Sequence, residues 1–156
     1  MKYTPFHQYF PELASKETTC ITLLRGNELS LPADEYGLIE LFCETADCDC
    51  RRTMLMVVSA KSKETLAVIN FGWENARFYE NWYGSKNKTV IDDLKGPCLN
   101  IMAPQSKYAA KILILVSSTV LKDSGYVERI QRHYKLFKDK LNPGENESKL
   151  PYMPKK

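Results

Sequence analysis

The sequence predicts an α+β domain, an antiparallel β-meander of about four strands over residues 17–72 with C-terminal helices packed on one face. Three observations predict it. Apolar, β-branched runs separated by short polar turns fill residues 17–72. After Gly72 the apolar residues recur every three or four positions instead. The chain has 156 residues, 44% hydrophobic and 26% charged, which suits a single core and excludes wholesale disorder.

Residues 1–16 carry Tyr3, Phe6, Tyr9, Phe10 and Leu13, broken by Pro5 and Pro11. Proline opposes a regular helix or an inner strand, so an extended arm laid on the body of the domain is expected. Residues 17–25 (ETTCITLLR) read as the first strand, closed by Gly26-Asn27. Residues 36–43 (YGLIELFC) read as the second, with Ile39, Leu41 and Cys43 sharing a face. Residues 52–60 (RTMLMVVSA) and 64–72 (ETLAVINFG) supply the third and fourth, joined by Lys61-Ser62-Lys63.

Residues 74–83 (ENARFYENWY) form a short predicted helix, with Asn75 as its cap and Gly84 as its end. A further helical turn is expected over 89–94. Another helix is expected over 106–121, where Tyr108, Ile112, Leu115, Val116 and Thr119 keep helical spacing. Asp123-Ser124-Gly125 interrupts, with Ser124 able to cap the next helix. Residues 126–141 make the clearest amphipathic pattern, through Val127, Ile130, Tyr134, Phe137 and Leu141, and Asn142-Pro143-Gly144 stops it. The organisation predicted is an arm (1–16), one domain (17–142) and a polar flexible tail (143–156).

The densest aliphatic run, Ile112 to Val116, is far short of the ~20 apolar residues of a membrane span. Met1-Lys2-Tyr3-Thr4-Pro5 leads into no apolar stretch of signal-peptide type, which makes the cytoplasm the expected location. A net charge of +3 is too small to argue for nucleic acid or an anionic membrane. The sequence names no partner and no oligomeric state.

Five cysteines are present: Cys20, Cys43, Cys48, Cys50 and Cys98. An odd count without a secretion signal disfavours a disulfide framework. Cys43, Cys48 and Cys50 stand in a polar stretch with the spacing C-x4-C-x-C, between two predicted strands. A hairpin returns on itself, so three thiolates can converge there on one ion. Zinc takes four S or N donors in a tetrahedron. A zinc site on Cys43, Cys48 and Cys50 is therefore expected, with His133 or Cys98 as the candidate fourth ligand. A water in fourth place would make it catalytic. Arg51-Arg52 can offset the −1 charge of three thiolates on Zn²⁺. Cys20, inside the first strand, reads as a packed thiol, and His7 is the weakest ligand candidate.

The main alternative is a thiol-dependent redox enzyme using Cys48 and Cys50, since neighbouring arginines lower a thiol pKa. A second is single-stranded nucleic-acid binding through Trp73, Phe78, Tyr79, Trp82 and Tyr83 with Lys86 and Lys88, although such spacing is more often core packing. Arg129, Arg132, Lys135, Lys138 and Lys140 read as a solvated helix face. No phosphate-binding glycine loop, G-x-S-x-G, H-E-x-x-H or EF-hand loop occurs, so no catalytic residues are assigned.

Leu41-Phe42-Cys43 through Cys48-Asp49-Cys50-Arg51-Arg52, then Pro104-Gln105-Ser106-Lys107-Tyr108, then Arg132-His133-Tyr134-Lys135-Leu136-Phe137-Lys138 form one set. That set resembles a family of small, uncharacterised bacterial proteins. The resemblance implies a stand-alone domain and brings no activity with it.

Overall fold

The computed structural model describes residues 2–143. It is an antiparallel sheet with helices, the α+β architecture expected. The meander is β3 (Asp34–Cys43), β4 (Arg52–Ser59) and β5 (Thr65–Gly72). Leu38, Phe42, Leu55, Val57 and Ile69 alternate with less buried residues and point into the core. Burying each such side chain contributes roughly 1.5–3 kcal/mol.

Two strands share the outer edge of β3. β1 (Tyr3–Pro5) pairs with its last three residues, Tyr3 opposite Cys43. β2 (Thr19–Leu23) pairs with its first five, Thr19 opposite Leu38. The chain leaves the sheet edge after Pro5 and rejoins it at Thr19. The detour is two short helices, α1 (Phe6–Tyr9) and α2 (Pro11–Glu17). The extended arm expected over residues 1–16 is thus a strand followed by helix. Pro11 occupies the first helical turn, where a missing N–H costs nothing. Cys20, expected to be packed, is exposed, because β2 turns it beside Gly37 to the face opposite Leu38 and the core.

After the meander come α3 (Ala76–Tyr83) and α4 (Lys88–Lys95). Asn75 caps α3 by accepting from the Phe78 N–H at 2.9 Å, and Gly84 closes it at φ 82°. A two-residue strand, β6 (Cys98–Leu99), adds to β5 at the far edge. Helices α5 (Ala109–Ser118) and α6 (Ser124–Leu141) bring Ile112, Val116, Ile130 and Phe137 onto the core. The cap of α6 is Asp123 rather than Ser124. Its carboxylate accepts from the Gly125 N–H at 2.9 Å and the Tyr126 N–H at 3.4 Å. Among the described residues no helix is long and apolar enough to cross a membrane. The tail expected over 143–156 falls, from residue 144 on, outside the described residues.

Candidate metal centre

Cys43 ends β3, and the chain then bends through residues 44–51 before β4 begins. The bend is a turn in which the Cys48 N–H donates to the Thr45 carbonyl at 3.1 Å. It closes the three sulfurs of Cys43, Cys48 and Cys50 to within 4.8 Å of one another. Cys43 and Cys50 are fully buried and Cys48 partly so. Two sulfurs on one tetrahedral zinc stand about 3.8 Å apart, given Zn–S bonds of about 2.3 Å. Side-chain rotation of about an ångström would satisfy that spacing.

The electrostatics differ among the sulfurs. Burial pushes the Cys43 thiol up, but the Thr45 N–H, 3.4 Å from its Sγ, together with Lys138 and Cys48, brings it below its ordinary value. Cys48 is pushed up to about 12 by burial and by the adjacent Cys50 and Cys43. A first negative charge is therefore favoured at Cys43, and a further one at Cys48 is resisted. A cation bound among the sulfurs removes that resistance.

The bend is fastened from outside by side chains of α6 and its C-terminal cap, spaced four residues apart. The Tyr134 hydroxyl donates to the Cys48 carbonyl at 3.4 Å. Lys138 Nζ donates to the Cys43 and Thr45 carbonyls, each at 2.8 Å. Asn142 Nδ2 donates to the Ala46 carbonyl at 2.5 Å. Lys138, expected on a solvated face, reaches the loop because it follows Tyr134 by one helical turn. Arg129 and Arg132 are also engaged, both on Glu17, with Arg132 bidentate at 2.7 and 2.9 Å.

Arg51 lies at φ 49°, a left-handed conformation uncommon for a residue with a side chain. It is held there from three sides. Its N–H donates to the Tyr134 hydroxyl at 3.2 Å, and its carbonyl accepts from the Tyr79 hydroxyl at 2.8 Å. Its guanidinium forks onto Asp49, reaches Glu74, and lies 4.5 Å over the Phe78 ring. Arg52 donates to the Leu94 carbonyl at 2.6 Å and to the Tyr3 hydroxyl at 3.1 Å. Burial pushes the Tyr3 hydroxyl above its ordinary value, against Arg52 and with help from Cys50 and Cys43. Both arginines thus order the ground around the sulfurs rather than point freely at them.

The two candidate fourth ligands are placed elsewhere. His133 is fully buried, stacked on Phe6 with centroids 4.2 Å apart. Its Nδ1 faces Glu40 at 3.0 Å and its Nε2 faces Glu17 at 3.2 Å, so both ring nitrogens are occupied. Glu40 and Cys43 are three residues apart on β3 and leave opposite faces of the strand. Cys98 is on β6, three strands across from β3, or about 14 Å at ordinary strand spacing. Its sulfur donates to the Asp93 carbonyl at 3.6 Å.

The aromatic residues of the nucleic-acid alternative are largely used in packing. Tyr79 is buried, Trp73 meets Tyr134 edge-on at 5.0 Å, and Phe78 lies beneath Arg51. Sequence reasoning missed Tyr3, Tyr79, Tyr134 and Asn142 as parts of the site. The one signal that pointed to the last two was their spacing with Lys138 along α6. No protein-family model matches the chain, and no curated protein or solved structure matches it either. The resemblance drawn from the cysteine and helix motifs rests on those motifs alone.

Proposed function

We propose that the chain binds one zinc ion through Cys43, Cys48 and Cys50, in a binding or scaffolding protein where the ion has a structural role. The observation that carries this reading is the convergence of three sulfurs within 4.8 Å, two of them fully buried. Thiolate sets suit zinc and other soft cations, and iron would use the same donors. Bound there, the ion joins the end of β3 to the start of β4, at the loop that α6 already holds through Tyr134, Lys138 and Asn142. Metal binding then adds free energy to folding. The reading fits a reducing compartment such as the cytoplasm, where thiols stay available.

The redox alternative on Cys48 and Cys50 has less behind it. The thiolate is the reactive form, and Cys48 is pushed up to about 12.

Elemental analysis of untagged protein tests the proposal. About one zinc per chain is expected, with a melting temperature that falls on chelation. Cys48→Ser should reproduce the fall. A metal-free protein whose stability ignores both chelator and substitution overturns the reading, and colour in the purified protein would assign iron instead.

A further inference from the structure

Three sulfurs leave a tetrahedral ion one ligand short. Among the described residues, no other His, Cys, Asp or Glu joins the cluster. The neighbouring donors have other work. Glu44 accepts from the Tyr9 hydroxyl at 2.7 Å and pairs with Lys2 at 3.3 Å. Both oxygens of Asp49 take the Arg51 guanidinium. His133 has both nitrogens on carboxylates, and Cys98 sits across the sheet. Of the three cysteines, Cys48 alone is partly exposed, and Cys43 and Cys50 are fully buried.

We infer, resting on the zinc reading, that the ion's fourth position is completed from outside the chain, by a small thiol. A thiolate set selects soft cations, and an open position on such an ion takes water or an added ligand, of which a thiolate matches the donors already there. The incoming thiol releases its proton to solvent, displaces a water and binds as thiolate. Lys138, 2.8 Å from the Cys43 carbonyl, and Arg52, behind Tyr3, offset the added negative charge. The site is then an open receptor for a thiol ligand rather than a closed clasp.

Cobalt(II) placed in the full-length protein, kept reduced by a phosphine, reads the coordination directly. Three cobalt–sulfur bonds are expected to give sulfur-to-metal charge-transfer absorption and tetrahedral ligand-field bands. Adding 2-mercaptoethanol should then raise the charge-transfer intensity by about a third, saturably, as a fourth sulfur binds. A spectrum that ignores the thiol means that water or the chain itself keeps the fourth position, which overturns this inference and leaves the zinc reading intact. Absence of any charge-transfer band overturns the zinc reading and the inference with it. Cys98→Ser, at a half-buried edge position, is expected to keep both the starting spectrum and the response. Loss of cobalt–sulfur intensity in that variant would make Cys98 the fourth ligand and overturn the inference.

Discussion

Single residues carry unequal weight in this protein, and their chemistry says why. Glu40 is a carboxylate on the core face of β3, and both its oxygens meet one histidine nitrogen. Removing it leaves His133 Nδ1 buried without a partner. Glu40→Ala is expected to cost roughly 3 kcal/mol, within the range for orphaning a buried charged or polar partner. Urea denaturation measures it, and a cost under about 0.5 kcal/mol, the scale of a neutral surface change, would mean the pair is not a structural tie. Gly72 matters for a different reason. A Cβ there would overlap the Tyr79 hydroxyl, which holds the Arg51 carbonyl. Gly72→Ala should therefore destabilise by about 1–3 kcal/mol through displacement of a packed ring. Calorimetry reads the loss, and a Tyr79→Phe background should reduce it. These two positions are invisible in the sequence: Glu40 lies unmarked inside the second predicted strand, and Gly72 ends the fourth. Their roles come from residues 93 and 7 positions away.

At the scale of elements, α6 is the one that organises the candidate site. Its apolar stripe is plain from the three- and four-residue spacing, and so is its end at Asn142. The polar residues one turn apart read as solvated, because nothing in a single helix says what stands opposite it. Lys138→Met keeps the side chain's length and removes its two donations to the loop. A loss of about 1–2 kcal/mol is expected, and the zinc proposal adds faster release of the ion to a chelator. An unchanged release rate would separate α6 from the site. The strands of the meander keep to their patterns to within a few residues. The misread elements are α1, α2, β1 and β6, of two to seven residues each. Segments that short have no period to read, and they persist because tertiary contacts hold them.

Across the whole molecule, Glu17 links α2 to α6. Hydrogen bonding from Arg132 is the main force bringing its carboxyl down to about 2 from 4.5, against burial and with help from His133. A carboxyl lowered on folding stabilises the folded state above its unfolded value. That contribution is lost as pH falls from about 4.5 towards 2. Stability measured by urea should decline through this window, and Glu17→Gln should flatten the decline while lowering stability at neutral pH. An identical pH profile in the variant would remove Glu17 from the account.

The amino-acid order by itself determined the strand and helix periods, hence the α+β class, and it placed three cysteines at one chain reversal. Those are local facts, set by alternation and by spacing within about ten residues. Tertiary structure decided the rest: that β1 and β2 share one edge, that His133 lies between Glu40 and Glu17, and that Cys98 stands at the far edge. Which donors meet depends on strand order and on which face each side chain leaves. Neither is written in a local period, because strand partners and helix neighbours are chosen by the burial of the whole core.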